Sequence, residues 1–314
     1  MRWRTILGRA CRWAGLAPLW LSHAVAACPP ALAPANAAQI AAAESHDRGL
    51  LWSIERDGRT SYLYGTLHVG KPAWMHPGPR VSEALAASDV LALEIDPGDP
   101  GVQAELSHDD HPAPRLPAAL QARLARQVQA ACVPAAALAG MNPAMQAVML
   151  GVLEARWAGL DPGYAQEQAL AQRARASGRE VVSLETVALQ KKALVPASDS
   201  ETLEMIDSSL DELESGSGRR VIARLAQAWE DGDLATIAGY ERWCECVHTP
   251  AERAALRALN DDRNPGLAEH IEALHAAGRR VFAAVGALHM TGAQGLPGLL
   301  QARGFRVRRI VFGP

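Results

Sequence analysis

The feature that most constrains this chain is a short motif that occurs twice, once near each end of the sequence. YLYGTLHV at residues 62–69 and VFAAVGALHM at residues 281–290 are apolar, strand-like runs that break at a glycine and continue as Leu-His. Each run therefore places a histidine, His68 or His289, just after a buried strand. Open α/β sheets collect their reactive groups at strand ends. The repeat predicts a sheet that brings two imidazoles from distant parts of the chain into one cleft.

The segments around the two motifs predict two related halves of one sheet. After each motif glycine the pattern predicts a helix and then a strand. These segments are Pro79–Ser88 and Val90–Ile95 after Gly65, and Ala293–Arg303 and Phe305–Val311 after Gly286. Asp57-Gly58 predicts a hairpin turn just before the first motif. Residues from about 115 to 260 are mainly helical in pattern. We therefore expect an α/β fold, a mixed central sheet built from two strand-His-helix-strand halves with a large helical insertion.

The first 38 residues are interpreted as a signal peptide with an Ala/Pro-rich lead-in, and residues 39–314 as a single domain. Four arginines and no acids precede Trp13–Ala27, an apolar stretch too short and broken to span a membrane. Small residues at Ala24–Ala27 or Ala35–Ala38 suit ordinary cleavage. Alternatively, Val-Ala-Ala before Cys28 resembles a lipobox, which would make Cys28 a lipid anchor. We expect an exported protein that is periplasmic, soluble or lipid-anchored, or secreted.

The charge balance argues against nucleic acid as a partner. The chain carries a formal charge of -3, and removing the four arginines of the leader takes it to -7. Binding to phosphate backbones needs clustered Lys and Arg, and the chain has no such block. A peptide or a small molecule is the expected substrate.

Two groups of potential metal ligands lie outside the strand ends, and neither predicts a site strongly. His108-Asp109-Asp110-His111 is interpreted as solvated surface in a Pro-rich loop. Cys244-Glu245-Cys246 has His248 nearby, but zinc needs further ligands. We expect Cys244 and Cys246 to be too close in sequence to bridge each other, so Cys132 could pair with either. The pairing is left open.

The polar groups that end the predicted strands are His68, Glu94, Glu185 and His289. Two neutral imidazoles with one or two carboxylates form a familiar open metal site. A divalent ion held in this way activates water and polarises a carbonyl, so hydrolysis follows naturally. A metal-free version is also coherent. There a histidine acts as base on a water, oriented by Glu94, and Arg263 steadies developing negative charge.

Each of these groups also has a purely structural interpretation. Glu185 could cap the following helix or pair with an arginine. Arg263 could pair with Asp261 or Asp262. The motifs of other hydrolases and nucleotide-binding enzymes, namely G-x-S-x-G, H-E-x-x-H and the P-loop, do not occur in the sequence.

Three segments together resemble the TraB/GumN family, over about Leu51 to Ile310. They are YLYGTLHVGKPAW with LALEID, then GLDPGYAQEQALAQRARASGREVVSLETVALQ, and finally DDRNPGLAEHIEALHAAGRRVFAAVGALHMTGAQGLPGLLQARGFRV. That family is related to the Tiki metalloproteases and, more distantly, to the erythromycin esterase/ChaN-like fold. The resemblance implies a metal hydrolase, since Tiki-like members are similar to manganese- or cobalt-dependent peptidases. Other relatives bind haem or block a signalling peptide.

The resemblance also assigns positions. Gly65 with His68 and Gly286 with His289 match the two G-x-x-H motifs of the family. Glu94 matches the first acidic strand end, Glu185 lies in the L-E-T segment, and Arg263-Asn264 match an R-N pair.

We therefore predict an exported metal-dependent hydrolase of peptide or other amide or ester bonds. His68, Glu94 and His289 are expected to bind a divalent ion, which would be Mn, Co or Zn. Further roles are assigned to Glu185 as a ligand or general base, Arg263 as the partner of an oxyanion or substrate carboxylate, and Asn264 in substrate binding. The competing hypothesis is a binding protein that sequesters a peptide, haem or metal without turnover.

Overall fold

A computed structural model of the chain describes residues 28–30, 32, 45–107 and 114–313. Most of the predicted signal peptide and lead-in lies outside these residues, as does the loop His108-Asp109-Asp110-His111. None of the helices in the described part of the chain is both long and apolar enough to span a membrane.

Six strands form one mixed sheet in the order β4-β3-β5-β2-β1-β6. The strands are β1 (Leu50–Arg56), β2 (Arg59–Thr66), β3 (Val90–Leu93), β4 (Glu180–Ser183), β5 (Val281–Gly286) and β6 (Arg306–Ile310). Strands β2, β5, β3 and β4 run parallel to one another, whereas β1 is antiparallel to both β2 and β6. The predicted mixed α/β sheet is confirmed.

Helices connect these strands and form the predicted insertion. They are α1 (Pro79–Ala86), α2 (Pro100–Ser107), α3 (Ala118–Ala130), α4 (Pro143–Leu153), α5 (Gln166–Ala176), α6 (Val187–Leu194), α7 (Asp199–Ser215), α8 (Ser217–Glu230), α9 (Leu234–Ala238), α10 (Tyr240–Trp243), α11 (Pro250–Leu259), α12 (Asn264–Ala276) and α13 (Leu296–Ala302). Short 3-10 turns include Pro72–Met75 and Ala287–Met290. Helix α8 ends at Glu230, and Gly232 just beyond it adopts a φ of 64°.

The hairpin before the first motif has the predicted turn. Asp57 and Gly58 both have positive φ, 52° and 71°. This two-residue turn matches the right-handed twist of the strands that it joins. It sets β1 against β2 with Leu50 opposite Gly65. The hairpin thereby fixes the position of the strand that carries the first motif.

The two motif strands are neighbours, although they are far apart in sequence. Gly65 pairs with Val285, and Thr66 pairs with Gly286. Strand β5 is therefore held between β2 on one side and β3 on the other, and all three are almost completely buried over their last residues. This register brings the ends of the two motifs to the same edge of the sheet, as the repeat predicted.

Helix α8 covers this part of the sheet through Trp229, which is 1% exposed. Its indole Nε1 donates to the carbonyl of Gly65 at 2.6 Å, and its ring packs against Trp74 with centroids 4.7 Å apart. A second, smaller apolar cluster lies within the helical insertion. Its buried members include Leu124, Leu150, Ile206 and Leu210. The insertion thus has a core of its own beside that of the sheet.

The cysteine pairing corrects the expectation from the sequence. Cys244 is bonded to Cys246, and Cys132 is bonded to Cys28. The Cys-Glu-Cys bridge closes because Glu245 adopts a φ of 53°, and the flanking Cα atoms lie 5.1 Å apart, within the ordinary range for a disulfide. Because both sulfurs are bonded to each other, neither can bind zinc as a thiolate, and the zinc interpretation of Cys244 and Cys246 is wrong. One sulfur cannot form two such bonds, so the Cys28–Cys132 disulfide and a lipid on Cys28 exclude each other.

We expect Trp229→Phe to lower the free energy of unfolding by about 2 kcal/mol or more. The change removes a buried hydrogen bond to Gly65 and leaves a cavity beside Trp74. Urea denaturation measures the loss. Trp243→Phe is the matched control, because Trp243 is only partly buried and donates to Thr236 in the small helix α9. A control loss equal to that of Trp229→Phe would contradict the role of Trp229.

Candidate active site

Four parallel strands end at one edge of the sheet, and a predicted site residue follows each of them. His68 lies two residues after β2, Glu94 directly after β3, Glu185 two residues after β4, and His289 in the 3-10 turn that follows β5. The β3 and β4 ends are also joined by a backbone hydrogen bond from Glu185 to Glu94 at 3.1 Å. The parallel register therefore collects all four residues at the carboxyl edge of the sheet.

His289 is a buried, neutral imidazole whose ring is held by a side-chain amide. It is 3% exposed, and its Nδ1 lies 2.6 Å from Oδ1 of Asn264, whose amide nitrogen donates to the carbonyl of Gln294. Because that amide oxygen can only accept, Nδ1 carries the proton and Nε2 keeps its lone pair. Burial lowers the pKa of His289 to about 4. Nε2 lies 3.9 Å from Oε1 of Glu94.

His68 lies at the mouth of the site, where its ring is 65% exposed. Its Nδ1 is 3.0 Å from Oε1 of Glu167, which also accepts from the Thr66 hydroxyl at 2.6 Å. The Glu167 carboxylate raises the pKa of His68 to about 9. The other oxygen of Glu167 is buried and has no hydrogen-bond partner among the described residues.

Glu94 is a buried carboxylate whose two oxygens have different partners. Oε1 accepts from the backbone N–H of Gly286 at 2.7 Å, and Oε2 accepts from Arg263 at 2.5 Å and from Gln190 at 3.2 Å. Burial opposes ionisation, but the two imidazoles, the guanidinium and the Gly286 N–H together hold the pKa of Glu94 at about 2. The side chain is therefore a carboxylate throughout the neutral range.

Arg263 is clamped between Glu94 and Glu185 rather than paired with Asp261 or Asp262. Its Nε donates to Glu185 at 3.0 Å, its Nη2 contacts both carboxylates, and its Nη1 donates to the carbonyl of Leu259 at 2.8 Å. Gln190 donates at 2.9 Å to Oε1 of Glu185, the oxygen that Nη2 of Arg263 contacts. Arg263 and Glu185 are thus bonded to each other. The general-base role of Glu185 and the oxyanion role of Arg263 stay predictions.

Asn264 is fully buried beside Arg263, at the start of α12. Its side chain orients His289, as described above. Contact with a substrate, which the sequence suggested for Asn264, stays a prediction.

The two motif glycines have different structural roles. A methyl group at Gly65 would lie 3.2 Å from the Cα of Ala287, so this glycine lets the turn that carries His289 pack onto β2. A methyl group at Gly286 would lie 3.2 Å from Oε1 of Glu94, 3.4 Å from Cδ2 of His289 and 3.8 Å from Nε2 of His68. Gly286 has a φ of -47°, which any residue adopts. It is therefore needed for the open space between the three side chains.

The groups around this space, two imidazoles and a carboxylate, are of the types that bind divalent metal ions. Among the described residues, no three His, Cys, Asp or Glu side chains are grouped closely enough to hold an ion as they stand. However, both histidines have Nδ1 bonded to an oxygen acceptor, which is how metal-binding histidines are usually oriented. Two ligands that are each about 2.1 Å from one ion can be up to about 4 Å apart. The 3.9 Å between His289 and Glu94 satisfies this limit.

Sequence reasoning missed two residues of the site, Glu167 and Gln190. Glu167 lies in the first turn of α5, and Gln190 lies in α6, five residues after Glu185. Neither ends a strand, so the search for strand-terminal polar groups could not find them. The available signal was the pair Gln166-Glu167 at a helix start, where Gln166 also accepts from the N–H of Leu67 at 2.7 Å.

The sequence matches one known protein family over most of its length. The sequence pattern of the TraB/PrgY/gumN family matches residues 50–309, nearly the whole of the described chain. No curated protein and no solved structure matches the chain significantly.

We expect Arg263→Met to lower the free energy of unfolding by about 3–5 kcal/mol, because it leaves Glu94 and Glu185 buried without a cation. Urea denaturation at pH 7 measures the change. Adding Glu185→Gln should recover part of the loss, since one uncompensated charge disappears. Arg280→Met is the control, because its ion pair with Asp89 is exposed and should matter far less.

We expect His68 in the metal-free protein to titrate near pH 9 and His289 to stay neutral above about pH 5. Imidazole NMR against pH measures both, and Glu167→Gln should return the pKa of His68 toward its ordinary value. When the pKa of a histidine is higher in the folded than in the unfolded protein, its contribution to the stability of the fold is fully present below the unfolded pKa of about 6.5. The stability that Glu167 contributes should therefore be lost as pH rises through 9. An unchanged His68 titration in Glu167→Gln would show that the pairing is absent in solution.

Proposed function

The chain belongs to the TraB/PrgY/gumN family, and on this premise we propose that it is a metal-dependent hydrolase of peptide or other amide or ester bonds. One observation supports this proposal above the others. The space beside Gly286 is bordered by Nε2 of His68, by the ring of His289 and by the ionised Oε1 of Glu94. Two imidazoles and a carboxylate are typical of open hydrolytic metal sites.

Nε2 of His68, Nε2 of His289 and the carboxylate of Glu94 would hold the ion. A bound divalent ion such as Mn, Co or Zn lowers the pKa of water toward neutrality and polarises a substrate carbonyl. His289 is already neutral and needs no deprotonation to act as a ligand. His68 would have to release its Nε2 proton, and the bond from its Nδ1 to Glu167 would keep the remaining proton in place.

The surrounding residues fix the positions of these donors. Asn264 holds the ring of His289, Glu167 holds that of His68, and the N–H of Gly286 holds one oxygen of Glu94. Arg263 balances the charge of Glu94 and Glu185. A substrate carbonyl would enter past His68, the most exposed of the four predicted strand-end residues.

We further propose that the chain is exported and acts in the periplasm, soluble or lipid-anchored, or outside the cell. The leader with its arginines supports export in any of these forms. The disulfide between Cys28 and Cys132 supports export of a form without the lipid, because disulfides persist in oxidising compartments and a bonded Cys28 cannot carry a lipid.

Metal analysis tests the site directly. After loading with Mn, Co or Zn and removal of free ion, wild-type protein should retain about one ion per chain. We expect Gly286→Ala to retain at least tenfold less with its fold intact, because the added methyl group fills the space 3.2 Å from Glu94 while the backbone is unstrained. Loss of a ligand in His289→Ala should have the same effect. His76→Ala is the control, a partly buried histidine that contacts Arg173 instead.

Turnover is measured on the same samples with a library of short peptides and ester substrates. Hydrolysis that requires the ion and is lost in Gly286→Ala supports the proposal. Retention of the ion without hydrolysis of any substrate would favour the competing binding protein. Wild-type protein that takes up no ion under any loading condition would sink the metal-dependent mechanism.

A further inference from the structure

The Cys244–Cys246 disulfide differs in kind from the Cys28–Cys132 disulfide. Its cysteines are two residues apart, whereas the other disulfide joins residues separated by 104. A disulfide stabilises a protein mainly by restricting the unfolded chain, and this restriction grows with the length of the closed loop. Closing so short a loop restricts the chain little. Stabilisation of the fold therefore accounts for the presence of the Cys28–Cys132 disulfide but not for that of the Cys244–Cys246 disulfide.

The backbone between the two sulfurs opposes closure of this small ring. Glu245 has a φ of 53°, in the left-handed region that residues with a Cβ atom avoid. The carbonyl of Glu245 lies 2.7 Å from Nε2 of His248. Reduction of the disulfide would free Glu245 to return to an ordinary conformation. The reduced form is therefore favoured more than it is for an unconstrained disulfide.

The two sulfurs also differ in access. Cys244 is 1% exposed, whereas Cys246 is only partly buried. Cys246 is therefore the more accessible of the two residues, and its sulfur contacts the Tyr240 hydroxyl at 3.7 Å. The backbone N–H of Cys246 points to the sulfur of Cys244 at 3.2 Å and would donate to the thiolate that leaves. A more accessible cysteine beside a leaving sulfur with a donor is the arrangement that exchange requires.

We propose that Cys244–Cys246 is a thiol–disulfide exchange site whose substrate is a pair of cysteine thiols on another protein. The first substrate thiolate attacks the sulfur of Cys246, the bond between the two cysteines breaks, and Cys244 leaves as a thiolate that takes up a proton. The second substrate thiolate then attacks the substrate sulfur of the mixed disulfide and releases Cys246, which is protonated in turn. The substrate loses two electrons and two protons to become a disulfide, and Cys244 and Cys246 become thiols.

Equilibration of oxidised protein that carries both disulfides in glutathione buffers tests the redox difference. The free thiols are alkylated at each ratio of reduced to oxidised glutathione, and peptide mass spectrometry reports each disulfide separately. Cys244–Cys246 should open at a value of [GSH]²/[GSSG] at least tenfold lower than Cys28–Cys132 does. Opening of both disulfides at the same value, or of Cys28–Cys132 first, would overturn the proposal.

A variant that keeps both cysteines tests the backbone argument. Glu245→Gly adopts a positive φ without cost, so its disulfide should need a severalfold higher [GSH]²/[GSSG] to open. Glu245→Gln removes the same charge but keeps the Cβ atom, and should behave as the wild type does. Equal midpoints for Glu245→Gly and Glu245→Gln would contradict the role of the backbone.

Oxidation of a synthetic peptide with two cysteines tests the activity itself. One equivalent of oxidised protein should convert about one equivalent of dithiol peptide to its disulfide. The paired variant Cys28→Ser/Cys132→Ser should retain this reaction, and Cys244→Ser/Cys246→Ser should lose it. His289→Ala should oxidise the peptide as fast as the wild type does, because the exchange uses neither imidazole of the proposed hydrolase. Loss of the reaction only when Cys28 and Cys132 are replaced would assign the exchange to the wrong disulfide and refute the proposal.

Discussion

The ion pairs of Arg263 with Glu94 and Glu185 are the interaction on which the site depends. Two carboxylates at neighbouring strand ends are buried, and such charges are strongly unfavourable unless a cation and hydrogen-bond donors compensate them. Arg263 reaches them from the start of α12, and Gln190 reaches the same oxygens from α6. Helices from two different parts of the chain are thereby fixed against the edge of the sheet. Oε1 of Glu94, which accepts from the N–H of Gly286, is left facing the two histidines.

Both imidazoles are oriented by a contact at Nδ1, but one ring is charged and the other is neutral. Each Nδ1 contacts an oxygen acceptor, but the acceptor is a carboxylate for His68 and a neutral amide for His289. His68 is consequently a cation at the exposed mouth, and His289 is a neutral group in the buried interior. One pocket therefore contains a proton donor, a lone-pair donor and a permanent carboxylate within a few ångströms. This separation of proton affinities is a common basis for acid and base chemistry at one pH.

Local patterns in the sequence predicted the sheet well, because strand alternation, the Asp57-Gly58 turn and the repeated motif are all set by neighbouring residues. They also predicted which polar groups would end the strands. They could not predict the partner of Arg263, since that depends on how α12 crosses the sheet, or the contact of Glu167 with His68. The Cys244–Cys246 bond was missed for a different reason. Its closure depends on a single unusual backbone conformation at Glu245, which the residue type does not favour.

The position of β5 has a consequence for how the protein is made. This strand is the last but one in the chain, yet it lies between β3 and β2 in the middle of the sheet. Until its residues leave the ribosome, β2 and β3 each lack one of their two neighbouring strands, and the backbone groups along that edge are unpaired. The nascent polypeptide thus depends on protection from aggregation until synthesis is nearly complete. The same delay means that His289, which follows β5, joins the other strand-end residues only when synthesis is nearly complete.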